Sequence, residues 1–141
     1  MRAFFDTSVL IAALRDDHDH HGPSFERVKH ANKTNSTCGI HTFAEVYATL
    51  TGLPRRPRPQ PQQVFLVIEG LRERLTPIVL NTEEYLDTLR KTADAGLTSR
   101  MIYDALLLAC AAKSGAEVIY TWNLKNFRAI APELADRIQT P

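Results

Sequence analysis

With 141 residues, 44% of them hydrophobic and 23% charged, the chain holds enough apolar material for one core and lies outside the disordered range. A formal charge of +1 gives no global pull toward a polyanion, so any nucleic-acid contact has to come from a local cluster. No stretch approaches the length that spans a bilayer, and Asp6 interrupts the first hydrophobic run too early for a signal peptide. The expectation is a soluble, cytoplasmic protein with no membrane contact, folded as a single domain over residues 1–141.

Ala3 to Asp6 predicts a short strand, apolar until its last residue as interior parallel strands are. Val9 to Leu14 predicts a helix that fades into the acidic, histidine-rich run Asp16 to His21. Pro23, tolerated in a first turn, opens a second helix that carries Phe25 and Val28 inward and stops between Asn32 and Asn35. Ser36 to Gly39 is a second strand. Thr42 and Glu45 have capping-box spacing ahead of Val46, Tyr47 and Leu50, and Gly52 and Pro54 end that helix.

Pro54 to Pro61 contains four prolines and three arginines and reads as an extended loop. Val64 to Leu75 is a helix with Phe65, Val67, Ile68 and Leu71 in its core stripe, and Thr76 to Leu80 a strand. Asn81 or Thr82 caps the helix that carries Tyr85, Leu86 and Leu89; Ala95-Gly96-Leu97 breaks it, and Ser99 caps the next turn. Ile102 to Lys113 is a mostly apolar helix ended by Gly115, Val118 to Tyr120 a buried strand, and Asn123 to Phe127 a loop. Strands alternating with helices predict an α/β fold, a predominantly parallel sheet between helical layers. Cys38 and Cys110, the only cysteines, lie in no metal-binding spacing and read as small core residues.

Asp6, Glu45 and Asp104 each stand at the mouth of an apolar segment. In open parallel sheets, sites form beyond the C-terminal strand ends, where three converging carboxylates would repel each other unless a cation neutralised them. With no histidine or cysteine beside them, oxygen ligation favours Mg²⁺, with Mn²⁺ as a substitute, over Zn²⁺. The matching chemistry is hydrolysis at phosphorus by metal-activated water. Each acid also has a plain structural reading: Asp6 as a strand end and cap, Glu45 as half of a capping box, Asp104 as a first-turn acid favoured by the helix dipole. Thr7 and Ser8 are equally at home in a turn.

The segments Phe5-Asp6-Thr7-Ser8-Val9-Leu10, Glu45, Tyr103-Asp104-Ala105-Leu106-Leu107-Leu108-Ala109 and Thr121-Trp122-Asn123-Leu124-Lys125-Asn126-Phe127, in this order, resemble a PIN-domain protein. Within that family the resemblance is to the VapC-like toxins of type II toxin–antitoxin pairs, and it covers essentially the whole chain. It implies a PIN-like three-layer sandwich and a metal-dependent endoribonuclease. Asp6, Glu45 and Asp104 would match the family's acidic metal-site residues, with Asp6 and Asp104 as metal ligands and Glu45 completing the set. Thr7 or Ser8 would match its orienting hydroxyl, with Thr121, Asn123 and Asn126 in support. It further implies RNA as substrate, a homodimer, and a small antitoxin as partner.

One departure stands out. The family often adds a fourth acid where this chain has Asn123 or Asn126, and an amide supplies no negative charge. Asp94 reads equally as a compensating acid or as a surface residue. The departure favours, as the alternative reading, a catalytically weak RNA-binding or antitoxin-binding module. A hydrolase with Asp6 as covalent phosphate acceptor fits less well, because Ser8 occupies the position where that pattern wants a second aspartate.

Around the acids, Arg55, Arg56 and Arg58 form a cluster suited to an RNA backbone or simply to solvent. His18, His20 and His21 among Asp16, Asp17 and Asp19 read as a solvated loop, or as an adventitious metal catcher. Trp122 either stacks on a base or covers the sheet edge or a dimer seam.

Overall fold

The computed structural model describes residues 2–141. Strand β1 (Ala3–Phe5) leads into helix α1 (Thr7–Leu14), then α2 (His21–Lys29), β2 (Ser36–Gly39), α3 (Ile40–Thr51), α4 (Pro61–Arg74) and β3 (Thr76–Ile78). Helices α5 (Thr82–Asp94) and α6 (Met101–Ser114) follow, then β4 (Val118–Tyr120), α7 (Leu124–Ile130), a 3-10 helix (Pro132–Arg137) and β5 (Ile138–Gln139). The sheet runs β3-β2-β1-β4-β5, and each neighbouring pair is parallel. No helix of the described residues is long and apolar enough to cross a membrane.

Alternation along the central strands divides the core in two. Ala3, Phe5, Val118 and Tyr120 face Val9, Leu10, Val28, Val46, Leu50, Val64 and Leu71 from α1 to α4. Phe4 and Ile119 face Leu107, Leu108, Cys110 and Ala111 of α6, with Phe127 of α7 and Ile138 of β5. Apolar residues on both faces are what a sheet buried between helical layers requires. At the start of α3, a Cβ on Gly39 would come within 2.7 Å of Leu107 Cδ2, so a glycine lets β2 lie close against α6. Gly115, at φ 69°, closes α6 in the left-handed conformation. Cys38 and Cys110 are free and buried, and burial pushes their thiols up to about 12 and about 11.

Several local expectations are corrected. Helix α3 begins at Ile40, so Thr42 lies inside its first turn with a fully buried side chain, and Thr42 and Glu45 form no capping box. The boxes in the structure belong to Asn81 with Glu84, and to Gln60, whose N–H donates to Gln63 Oε1 at 2.8 Å. Helix α1 starts at Thr7 and α2 at His21, each two residues earlier than expected. Ser99 does not cap α6; Arg100 precedes the first turn while Ser99 takes a positive φ of 56°. The loop after β4 is short because Leu124–Ile130 is helical, and β5 was not foreseen. Phe25, Phe65 and Val67, expected inward, are exposed, as are Tyr85, Leu86 and Leu89, because among the described residues no layer covers the outer faces of α2, α4 and α5.

Candidate functional site

The strand order reverses at β1, whose neighbours are β2 on one side and β4 on the other. In open parallel sheets the chain connections diverge at such a point, and sites form beyond the C-terminal ends of the strands there, which here are β1 and β4. Asp6 is the first residue past β1, and Thr121 the first past β4.

Asp6 is 2% exposed, a position that costs a lone carboxylate several kcal/mol. Two hydroxyls offset this cost by converging on one oxygen: Ser8 Oγ donates to Asp6 Oδ2 at 2.7 Å and Thr121 Oγ1 donates to it at 2.8 Å. Each hydroxyl is aimed by a backbone N–H from the β4–α7 turn. Trp122 N–H donates to Ser8 Oγ at 3.0 Å, and Asn123 N–H donates to Thr121 Oγ1 at 2.9 Å. Burial still outweighs these bonds, so the Asp6 carboxyl sits above its ordinary range.

Thr7 makes the second connection. Its hydroxyl donates to Glu45 Oε1 at 3.1 Å and lies 3.0 Å from the Thr42 hydroxyl, tying α1 to α3. Burial also raises Glu45, against the Thr7 bond and the positive pull of His41, with repulsion from Asp6 adding to the rise. Asp104, in the first turn of α6, is pushed up to about 6 by burial, then by repulsion from Asp6 and Glu45.

The fold therefore brings Asp6, Glu45 and Asp104 within mutual electrostatic reach across three helices. Among the described residues, no three His, Cys, Asp or Glu side chains stand close enough to make a ready-made cage. The donor set suits a hard divalent ion that keeps its own waters and takes one or two carboxylates, because every side-chain donor here is an oxygen.

Of the other expected site residues, Thr7, Ser8 and Thr121 all reach the acids through hydrogen bonds. Asn123 caps α7 and serves through its backbone N–H, while Asn126 lies exposed on that helix. Asp94 pairs with Arg90 at 3.3 Å on the surface of α5, so it does not join the acids. The arginine cluster lies past the C-terminal end of α3. There Arg55 pairs with Asp17 at 3.5 Å, and Arg56 and Arg58 line a shallow depression with Pro57 and Pro59.

Sequence reasoning missed Thr42, whose buried hydroxyl supports Thr7. It also missed the aromatic surroundings: His20 lies flat on Trp122, and His41 lies parallel to Tyr103 but offset from it. The Thr42–Glu45 spacing was a signal, but it meant one helix face rather than a cap.

The PIN domain family model matches residues 3–131. Ribonuclease VapC27 of Mycobacterium tuberculosis is 33% identical over 114 residues, covering 80% of this chain and 79% of that protein. Among solved structures, VapBC-1 from nontypeable Haemophilus influenzae is similar with a TM-score of 0.65 and 22% identity, covering 99% of this chain and 98% of that one, a likeness of fold. With the family model matched over residues 3–131 and a relative 33% identical over 80% of its length, the chain belongs to the PIN domain family.

Proposed function

We propose that this protein is a Mg²⁺-dependent endoribonuclease, the toxin half of a type II toxin–antitoxin pair. The observation that carries the reading is three carboxylates within electrostatic reach of one another, each raised above its ordinary range, with no lysine or arginine salt-bridged to any of them among the described residues. A divalent ion would relieve that repulsion, and its VapC27 relative, a ribonuclease by name, supports RNA as the substrate.

In this reading Asp6 and Asp104 hold the ion, directly or through its waters, and Glu45 completes the acidic wall. When bound, the ion supplies charge stabilisation at the phosphoryl oxygens and a more acidic water. The chain's own residues set the geometry. Ser8 and Thr121 hold Asp6 Oδ2, Thr7 holds Glu45, and the β4–α7 turn keeps both Asp6 hydroxyls pointed correctly. Arg55, Arg56 and Arg58 serve as backbone contacts at a distance from the acids. A small antitoxin and a homodimer belong to the same proposal.

The test is a Mg²⁺ titration with purified RNA. Metal-dependent cleavage leaving 5′-phosphate and 3′-hydroxyl ends is expected; 2′,3′-cyclic phosphate ends would rule out water as nucleophile. The second reading, a catalytically weak RNA-binding or antitoxin-binding module, is favoured by Asn123 and Asn126 standing exposed as amides. Binding at full Mg²⁺ occupancy without turnover would select it.

A further inference from the structure

Two aromatic pairs neighbour the acids, one linked to Asp6 through Ser8 and one beside Asp104 and Glu45 in the chain, and only the Trp122 of the first packs against the core. In the first, the His20 and Trp122 rings are stacked with centroids 3.7 Å apart and planes 8° from parallel. Trp122 is held at both ends: its N–H donates to Ser8 Oγ, and its Nε1–H donates at 2.8 Å to the fully buried Ser24 hydroxyl. The tryptophan thus hangs one hydrogen bond away from the Asp6 hydroxyl fence, with exposed His20 as its outer leaf. In the second, the His41 and Tyr103 rings are parallel but offset, with planes 9° apart and centroids 5.8 Å apart. Tyr103 immediately precedes Asp104, and His41 lies one helical turn before Glu45 on the same face of α3. Tyr103 is 45% exposed and His41 is exposed as well.

Exposed flat rings fixed beside a phosphodiester site are suited to a nucleobase, which presents a π-face whatever its sequence. We infer that the His20–Trp122 and His41–Tyr103 pairs are stacking subsites for the unpaired bases on either side of the phosphate held over the acids. The inference rests on the ribonuclease reading and adds to it where the strand lies. It also revises the role of Trp122: one of its faces is already covered, so His20 is the ring that meets the base. Bases locked in a duplex cannot splay onto such platforms, so the subsites favour single-stranded segments.

The chain contains one tryptophan, so its fluorescence reports on the His20 side directly. The experiment measures binding of a short unstructured oligoribonucleotide, and of the same sequence as a duplex, to the full chain in chelator, where cleavage plays no part. The single strand is expected to change Trp122 emission. His20→Ala and Tyr103→Ala are each expected to weaken single-strand binding about tenfold, as loss of one stacked base does. His20→Phe and Tyr103→Phe are expected to stay within about twofold of wild type, and duplex binding to be unchanged.

Alanine variants that bind the single strand like wild type would overturn the inference. So would equal losses on strand and duplex, or a Tyr103→Ala protein whose light-scattering mass changes while RNA affinity does not. If the alanine effects appear but Mg²⁺ never produces cleavage, the nuclease reading fails and the stacking subsites stand. If cleavage proceeds while RNA affinity ignores both alanines, the reverse holds.

Discussion

Helix α5 and the hollow beyond β1 hold the same side chains in opposite electrostatic surroundings. On α5, Asp87 accepts from Lys91 and Arg90, and Glu84 accepts from Lys113 at 2.6 Å, which keeps both carboxyls below their ordinary range. These acids carry their own cations and stand in water, where such pairs add little to stability. In the hollow, burial raises Asp6, Glu45 and Asp104 instead, with repulsion from Asp6 adding to it at Glu45 and from Asp6 and Glu45 at Asp104, and hydroxyl groups rather than ammonium groups donate to Asp6 and Glu45. The contrast separates acids that solvate a surface from acids arranged to receive a positive charge from outside.

The largest expected effect tests that distinction on activity. Asp6→Asn should lower Mg²⁺-dependent RNA cleavage by about a thousandfold or more while circular dichroism shows an intact fold, since the ion contributes several kcal/mol to such a step. Mg²⁺ should also raise the melting temperature of the wild type and lose that effect in the variant. Unimpaired cleavage by folded Asp6→Asn protein would remove Asp6 from the chemistry.

Next comes the hydroxyl fence. Thr121→Val keeps the shape of the side chain but leaves Asp6 with one donor fewer, at a cost of about 1–3 kcal/mol in urea melts. Losing a bond that favours the charged form raises Asp6 further, so the acidic limb of the pH–rate profile should move to higher pH. A valine variant with wild-type stability and an unmoved limb would show that Ser8 alone suffices.

The third effect is a gain. A carboxyl raised to about 6 in the folded state favours folding fully below its unfolded value, and that contribution is lost as pH rises through 6. Metal-free Asp104→Asn should therefore be more stable than wild type at pH 7.5 by about 1 kcal/mol, after discounting for partial exposure. The gain should vanish at pH 4, where the wild-type carboxyl is protonated. Thermal melts in chelator at both pH values check the sign; equal stability at pH 7.5 would mean that the hollow is not strained by its charges.

The smallest effect is on α5. Asp87→Asn should leave cleavage unchanged and move the melting temperature within the error of the measurement, because its partners remain solvated. A loss of activity there would abolish the contrast between the two regions.

Much of this layout was readable along the chain. The strands at Ala3, Ser36 and Val118 are short and flanked by helix signals, and Asp6 breaks an apolar run at the strand end where parallel sheets place their sites. Other features resisted reading for identifiable reasons. Helical spacing reveals an apolar stripe but not whether a layer covers it, so Phe65 and Val67 read as core and stand in solvent. Strand β5 is two residues long, too brief for any periodicity, and exists because Ile119 and Tyr120 offer it an edge. Thr42 and Glu45 share a spacing that serves equally as a cap or as one helix face, and only the start of α3 at Ile40 decides between them.

What the chain determined by itself is the local chemistry: apolar strands that must be buried on both faces, helices that must connect them, and three acids placed at their mouths. Tertiary structure alone decided who meets whom. Thr121 reaches Asp6 across 115 residues, Trp122 reaches Ser24 across 98, and Thr7 reaches Glu45 across 38. Spacings of that size carry no distance information, because hydrogen bonding and electrostatic repulsion depend on separation in space. That separation exists only once parallel pairing has brought the ends of β1 and β4 side by side.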